Sequence, residues 1–290
     1  MDHAVTVGLD GSAESLAAAR WAAGEADRRG LPLRLLHAWP MLAPEAVGPA
    51  PEVDQNYWAK RIVHDAQSEI HGRYPDLPVV EDLVASDAET ALLGASARSE
   101  LLVLGSRGLS TAACFFLGDT SMEIVARAER PVVLVRAGLR PAPDSARGPG
   151  GVVVVGVSLH GQCDDLLEFA FEAAALREVP LHAVHGRSLP VDTYVPWAGN
   201  PDVIEEITEE ARQRLGEALR SSREKFPGVR VIDSVLLESP SRAVVRAASA
   251  ADLLVIGRRR QRPALAPRLG NVAHAAAHHA SCPVAIVPHG

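Results

Sequence analysis

Short apolar runs alternate with longer segments of helical periodicity along the whole chain. The run at 4–9 is followed by a segment over 13–29 whose apolar residues recur at helical spacing: Leu16, Ala19, Ala22, Ala23 and Ala26. Ser12 is a suitable N-cap for this helix, and Gly30 ends it. Strands that alternate with helices are typical of a parallel sheet covered by helices on both faces.

This pattern predicts ten strands and eight helices in one order that occurs twice. In the first half we expect strands at 4–9, 33–39, 79–84, 101–104 and 131–135, and helices at 13–29, 54–73, 87–99 and 120–128. In the second half we expect strands at 152–157, 181–185, 229–236, 253–256 and 284–287, and helices at 163–177, 202–226, 241–250 and 271–280. We assign the apolar face of the helix at 54–73 to Trp58, Ile62, Ala66 and Ile70.

A segment rich in Pro, Gly and Ala separates the two halves at 140–151. We therefore predict domain 1 at 1–139, a linker at 140–151 and domain 2 at 152–290. The predicted fold is α/β, with two tandem doubly wound domains. Each has a five-stranded, mostly parallel sheet with helices on both faces.

A glycine-rich loop follows the predicted strand at 101–104 and precedes a helix. Its glycines are Gly105, Gly108 and Gly118. Glycines let backbone N–H groups approach an anion, and a helix N-terminus adds unpaired donors, so this order predicts a phosphate cradle. The spacing is neither G-x-G-x-x-G nor a Walker A motif. Right-handed crossovers place this loop beside Asp10, at the carboxyl edge of the sheet.

Composition and net charge limit the classes of partner that this chain is expected to bind. The chain has 290 residues, a formal net charge of −7 and three cysteines far apart in sequence. The negative charge opposes binding to nucleic acid or to an anionic membrane, and an odd number of cysteines argues against a disulfide framework. We find no signal peptide and no run of about 20 apolar residues, so we expect a cytoplasmic protein.

Both halves resemble the universal stress protein family, and the resemblance covers nearly the whole chain. The segments that carry it are VGLDGS at 7–12, LLHAW at 35–39, LLVLGSRG at 101–108, LGDTSMEIVARAERPVVLVR at 117–136, VGVSLHG at 155–161, LLVIGRRR at 253–260 and LGNVAHAAAHHASCPVAIVP at 269–288. The pattern Gly-x₂-Gly-x₉-Gly-Ser/Thr is the ATP-binding signature of that family, and the first half has its three glycines. The resemblance implies an adenine nucleotide alpha hydrolase-like fold and binding of ATP or another adenine nucleotide.

The resemblance also implies roles for residues of domain 1. Gly8, Leu9 and Asp10 would line the adenosine, with the Asp10 carboxylate near the ribose hydroxyls, and the backbone of Ala38 would meet the adenine edge. The residues that would hold ribose and phosphates are Leu104, Gly105, Arg107, Gly108, Gly118, Thr120 and Ser121. We include Asp119 in the site, where the family usually has Ser or Thr.

Asp119 is the main departure of domain 1 from the family pattern. A carboxylate about 4 Å from a phosphate is repelled by about 4 kcal/mol per charge pair at an effective dielectric of about 20. We therefore expect weakened ATP affinity, binding bridged by Mg²⁺, or binding of a less charged adenine nucleotide. The alternative is that Asp119 only caps the helix.

Domain 2 departs further from the pattern. Ser158 replaces the aspartate, Arg260 replaces the second glycine, and Asn271 replaces the Ser/Thr. One interpretation is that this half has lost nucleotide binding and is a structural or dimerising partner. The other is an anion site of altered chemistry, gripped by arginine side chains: Arg258, Arg259, Arg260, Arg262 and Arg268. An ordinary solvated basic loop would explain the same arginines.

The histidines and cysteines of the chain give weaker predictions of a functional site. His274 and His278 are spaced to share a helix face, which suits either zinc or a polar surface, and we expect no metal. We expect His37 to be a hydrogen-bonded core histidine. His160, Cys163 and Asp164 match no mechanism that we can defend, and Cys114 suits a small apolar filler better than a redox group. We therefore predict no catalytic residue.

The sequence favours a regulator that binds an adenine nucleotide, with the main site in domain 1 and a degenerate site in domain 2. We expect a homodimer, and the sequence names no protein partner. Two alternatives stay open: a nucleotide-free dimerisation or interaction scaffold, and a slow ATP hydrolase. For an enzyme we expect at most weak ATP hydrolysis.

Overall fold

The computed structural model describes residues 3–39, 52–106, 119–138, 151–188, 201–260 and 269–290. It divides into two compact units, Met1–Pro141 and Ala142–Gly290. The predicted linker lies almost entirely outside the described residues, so its bounds stay a prediction. Among the described residues, no helix is long and apolar enough to cross a membrane.

The first unit is a five-stranded parallel sheet with the strand order β3-β2-β1-β4-β5. Helices α1 and α2 pack together, and α3 and α4 pack together, which gives a helical layer on each face. The strands are β1 (Val5–Gly8), β2 (Leu33–Trp39), β3 (Val79–Ala85), β4 (Leu101–Ser106) and β5 (Val132–Arg136); the helices are α1 (Ala13–Arg29), α2 (Glu52–Arg73), α3 (Ala88–Ser96) and α4 (Asp119–Arg127).

The second unit repeats this plan, with the strand order β8-β7-β6-β9-β10. The strands are β6 (Val153–Gly156), β7 (Leu181–Gly186), β8 (Val231–Leu236), β9 (Leu253–Arg259) and β10 (Val284–His289); the helices are α5 (Asp164–Arg177), α6 (Pro201–Lys225), α7 (Pro240–Ala247) and α8 (Asn271–His279), with a 3₁₀ turn at Ala248–Ala250. The predicted fold class is confirmed.

Local sequence signals fix α1 at both ends. The hydroxyl of Ser12 accepts the N–H of Ser15, and Gly30 closes the helix in the left-handed conformation at φ 62°. Five of the eight buried residues between these caps are alanines, and small side chains let the helix lie close to the sheet. The sequence prediction of 13–29 matches α1 residue for residue.

The predicted apolar face of α2 is wrong by one residue at its start. Trp58 is 59% exposed, whereas Ala59 and Val63 are buried with Ala66 and Ile70. Trp58 has the largest apolar side chain of this helix. An assignment from sequence therefore places it on the buried face, although it faces solvent.

In each sheet the first strand lies between two parallel neighbours that both follow it in the chain, one on each side. β1 pairs with β2 on one side and with β4 on the other, and β6 pairs with β7 and β9 in the same way. The loops after β1 and β4, and those after β6 and β9, therefore start at one edge of each sheet, at a topological switch point.

Candidate functional site

The described part of the candidate site in the first unit lies at the carboxyl ends of β1, β2 and β4. Gly8 ends β1 and pairs in register with Leu36 of β2. The N–H of Leu9 donates to the carbonyl of Leu36 at 2.8 Å, which extends this pairing one residue beyond the strand. Ala38 lies two residues further along β2, and Gly105 lies near the end of β4. The predicted residues of these three strands thus share one sheet edge.

Asp10 lies in the loop between β1 and α1 and is exposed to solvent. Its Oδ1 accepts the backbone N–H of Ser12 at 2.9 Å, a local turn that fixes the carboxylate. The backbone N–H of Asp10 lies 3.4 Å from the hydroxyl oxygen of Ser15, which is buried in the first turn of α1. The carboxylate is therefore positioned by this loop and remains accessible from solution.

His37, in β2, makes a hydrogen bond at the same edge of the sheet. Its Nδ1 lies 2.8 Å from the carbonyl oxygen of Leu9. Because a carbonyl can only accept, Nδ1 carries a proton, and in the neutral form of the ring Nε2 is an acceptor. The expected hydrogen bond is present, but His37 is half-buried rather than in the core. The bond holds the backbone immediately before Asp10.

Gly105 is required for packing in the described structure. A Cβ at this position would lie 2.6 Å from the carbonyl carbon of Glu14 and 2.7 Å from the amide nitrogen of Ser15. Both atoms belong to the backbone of α1, which cannot move aside cheaply. The sequence analysis assigned this glycine to close approach by a phosphate, and the first turn of α1 supplies a second, independent reason for it.

The phosphate side of the predicted site is described only in part. Arg107, Gly108, Gly118 and the predicted apolar filler Cys114 lie outside the described residues. Asp119 is the first residue of α4, and Thr120 and Ser121 follow it in the first turn, exposed and half-buried respectively. These two hydroxyls lie at the helix end that carries partial positive charge.

Ser106 was not singled out from the sequence. It is 3% exposed at the end of β4, and its hydroxyl has no hydrogen-bond partner in the described part of the chain. A buried hydroxyl beside Gly105 is a polar group that the local fold does not satisfy. No sequence signal distinguishes it from any other serine that ends a strand.

The second unit contains a cavity of about 840 Å³ at the corresponding sheet edge. It lies beside the ends of β6, β7 and β9 and the N-terminus of α8, with an apolar wall that includes Val157, Leu166, Val244 and Ile256. This volume lies in the range of small-molecule sites, roughly 300–1,000 Å³.

Basic side chains dominate the charged lining of this cavity. Arg187, Arg214 and Arg259 line it, and Glu210 is the one acidic residue among the described lining residues. The Nη2 of Arg214 donates to the carbonyl of Leu159 at 2.8 Å, and Arg259 donates to the carbonyl of His160. Two guanidinium groups thus bind the loop that follows β6.

The predicted arginine cluster is only partly at this cavity. Arg258 is 7% exposed and does not line it, and Arg260 pairs with Asp165 at 3.1 Å. Arg262 and Arg268 lie outside the described residues. Of the consecutive arginines, Arg259 alone lines the cavity among the described residues.

His185 repeats the contact of His37. Its Nδ1 lies 2.9 Å from the carbonyl oxygen of Val157, and the two residues are 28 positions apart, as His37 and Leu9 are. Burial lowers the pKa of His185 below its ordinary value of 6.5, and the charges of Arg187 and Arg214 lower it further. The ring is therefore neutral near pH 7, with Nε2 as an acceptor.

Cys163 is not an activated nucleophile. Burial, with the neighbouring charge of Asp164, raises the pKa of its thiol above the ordinary value. A raised pKa keeps the sulfur protonated, which is the opposite of what nucleophilic catalysis needs. His160, Cys163 and Asp164 therefore do not form a reactive set.

The histidines of α8 lie against each other. The ring centroids of His274 and His278 are 4.3 Å apart. Among the described residues, no group of three or more His, Cys, Asp or Glu side chains is arranged to hold a metal ion.

Sequence reasoning missed Arg187, Arg214 and His289 at the cavity of the second unit. A signal for Arg214 exists in the repeat. The long helix is followed by Tyr74-Pro75 in one half and by Phe226-Pro227 in the other, and aligning these pairs matches Arg214 with Ile62. An arginine in place of an isoleucine, at a position that faces a loop, indicates that the two sites differ in chemistry.

Comparison with known proteins agrees with this architecture. The sequence model of the universal stress protein family matches residues 1–136 and 151–288. A universal stress protein of Mycobacterium tuberculosis is 33% identical, with 98% of this chain and 96% of that protein covered. One from Mycolicibacterium smegmatis is 29% identical, with 99% and 97% covered. A universal stress protein structure from Archaeoglobus fulgidus has a similar fold, with a TM-score of 0.68, 16% identity and 99% and 98% covered.

Proposed function

Because this chain belongs to the universal stress protein family, we propose that its first unit binds an adenine nucleotide and that the protein is a stress-response regulator. The observation that carries the proposal is the convergence of Asp10, Ala38 and Gly105 on the carboxyl ends of three adjacent parallel strands. Open α/β sheets bind their ligands at such a switch point.

The residues of the first unit suit adenosine. The Asp10 carboxylate is held by the N–H of Ser12 at 2.9 Å and faces solvent, where it can accept hydrogen bonds from the ribose hydroxyls. Ala38, half-buried in β2, has backbone groups at the same edge for the adenine ring. Leu9 is buried beneath this loop and gives the site an apolar base.

The phosphates would lie against the glycine loop and the first turn of α4. Gly108 and Gly118 would let the backbone approach, Arg107 would add positive charge, and the hydroxyls of Thr120 and Ser121 would donate to the outer phosphates. Asp119 opposes this charge, so we propose that Mg²⁺ bridges it to a triphosphate or that a less charged adenine nucleotide is the better ligand.

Regulation would follow from a nucleotide-dependent change in pairing or partner choice. We propose that the chain forms a homodimer and acts in the cytoplasm, and we name no protein partner. The two described cysteines, Cys163 and Cys282, are buried thiols rather than a disulfide, as a reducing compartment requires.

Isothermal titration calorimetry with ATP, ADP and AMP, with and without Mg²⁺, tests binding on the intact chain. We predict that Gly108→Arg weakens nucleotide binding at least tenfold, because a side chain there blocks backbone approach to the phosphates. Arg260→Gly is the matched change at the corresponding loop position of the second unit. It should leave the affinity within about twofold, because Arg260 pairs with Asp165 outside the cavity.

Two results contradict the proposal. An absence of heat and of any thermal shift at millimolar nucleotide would remove binding altogether and favour the interaction scaffold. Equal effects of Gly108→Arg and Arg260→Gly would show that the first unit is not the main site.

A further inference from the structure

We propose that the cavity of the second unit binds an organic anion with an apolar body and holds its anionic group with arginine side chains. This site is separate from the nucleotide site proposed for the first unit and does not depend on it. The inference rests on three observations: the charge of the lining, the shape of the cavity and the loss of the aspartate at its edge.

Differences in sequence make the second site more positive than the first. Aligning His37 with His185, which make the same carbonyl contact, places Ser158 at the position of Asp10 and Gln162 at that of Glu14. On the long helix, Arg214 stands in the place of Ile62. Arg187 stands in the place of Trp39, whereas Glu210, in the place of Trp58, adds one negative charge to the lining. Two negative charges are thus removed and one is added, while two positive charges are added, in a chain whose formal net charge is −7.

Arg214 is placed to face a ligand at the mouth of the cavity. Its Nη2 donates to Leu159 at 2.8 Å, and its Nη1 lies 3.9 Å from Glu210, too far for a strong hydrogen bond. A guanidinium has five N–H donors in a planar fork that suits oxyanions. Arg259, bonded to His160 on the same loop, brings a second guanidinium to this mouth.

One helical turn that packs on the sheet in the first unit is missing beside this cavity. In the first unit the opening turn of α1 presses its backbone onto Gly105. By the same alignment, that turn corresponds to 161–163, which precede the start of α5 at Asp164 and are not helical. At the corresponding Gly257, a Cβ would meet the ring of His289, 2.6 Å from Nε2, rather than a helix backbone.

The residues that line the cavity indicate which class of ligand it would bind. Ser158 has no carboxylate to accept from a vicinal diol, so the main ribose contact of an adenine nucleotide is missing. Apolar side chains form the wall, and α8 begins at the cavity after Gly270, which has no side chain to cap the first N–H groups. These N–H groups therefore favour an anion in the same cavity that the two guanidiniums line. A compact apolar body with one anionic group fits these surfaces.

The test uses two fluorescent probes with nearly the same apolar body. 8-Anilinonaphthalene-1-sulfonate carries an anionic sulfonate, and N-phenyl-1-naphthylamine is its neutral counterpart. On the intact chain we expect the anionic probe to bind with at least tenfold higher affinity. Arg214→Ala and Arg259→Ala should each weaken it roughly three- to tenfold and leave the neutral probe unchanged.

Matched controls come from neighbouring arginines that do not line the cavity. Arg212→Ala changes an exposed residue of the same helix that pairs with Glu209, and Arg260→Ala changes the residue next to Arg259. Both variants should bind the anionic probe like the unmodified chain. Circular dichroism melts of all four variants check that each one folds.

The proposal is overturned if the two probes bind equally, or if the control variants weaken the anionic probe as much as Arg214→Ala does. It is also overturned if ATP displaces the anionic probe from the Arg214-dependent site at lower concentrations than the probe itself requires. Asp10→Ala should weaken nucleotide binding in the first unit at least tenfold without changing probe binding here. Failure of this proposal is therefore distinguishable from failure of the proposed function.

Discussion

A histidine ring binds the backbone carbonyl that follows the first strand in each unit. His37 does so at Leu9 and His185 at Val157, with distances of 2.8 and 2.9 Å. The carbonyl requires a protonated Nδ1 in both rings and leaves Nε2 as an acceptor in the neutral form. The sequence predicted a hydrogen-bonded His37 but placed it in the core, whereas it is half-buried. The acceptor could not be named, because the contact joins residues 28 positions apart.

The buried ring of His185 makes the stability of the second unit depend on pH. Its pKa in the folded state is lowered by burial, while in the unfolded chain it returns to about 6.5. Below that value the unfolded state binds more protons than the folded state, so the free energy of unfolding falls as the pH falls. Above it, both states are neutral at this position and the dependence ends.

We predict that His185→Asn reduces this dependence. Asparagine keeps an N–H donor for Val157 but does not titrate. Urea unfolding at pH 7.5 and pH 5.5 should show a smaller loss of stability in the variant than in the unmodified chain. The charged neighbours Arg187 and Arg214 are retained in both proteins. An identical loss in both proteins would show that the lowered pKa of His185 does not contribute.

At the scale of elements, α1 and β4 approach closely because small residues lie at their contact. Most buried residues of α1 are alanines, and Gly105 of β4 lies under the backbone of its first turn. The bounds of α1 were predictable because N-cap, periodicity and C-cap agree locally. The contact with β4 was not, because it depends on the position of a strand far along the chain. The buried face of α2 was predicted wrongly at its start. The side chain of Trp58 has a larger apolar surface than that of Ala59, but Ala59 is the residue that faces the core.

We predict that Gly105→Ala lowers the free energy of unfolding by about 1–3 kcal/mol, the usual cost of overpacking a well-packed site. The new methyl group would meet the backbone of Glu14 at 2.6 Å. Gly94→Ala is the matched control, because Gly94 lies within α3 with nothing within 4 Å of its Cβ position. That change should raise stability by about 0.5–1 kcal/mol. Denaturant titration of both variants measures the difference, and a destabilised Gly94→Ala with an unaffected Gly105→Ala would refute the packing argument.

At the scale of the whole molecule, one fold occurs twice with different chemistry at the same edge. The repeat, the succession of ten strands along the chain and the weakening of the nucleotide pattern in the second half were predictable from the sequence. The cavity of the second unit was not, because Arg187, Arg214 and Arg259 come from three separate segments. No local pattern shows that they converge, and the missing helical turn before α5 becomes visible only in the fold.

The central claim is that the nucleotide site belongs to the first unit. Calorimetric titration of the intact chain with ATP and Mg²⁺ tests it most directly when Asp10→Ala is compared with Ser158→Ala, the matched position of the second unit. We predict one site per chain, at least tenfold weaker in Asp10→Ala because the ribose loses a charged acceptor, and unchanged in Ser158→Ala. Two equivalent sites per chain, or a loss of affinity in Ser158→Ala equal to that in Asp10→Ala, would contradict the claim.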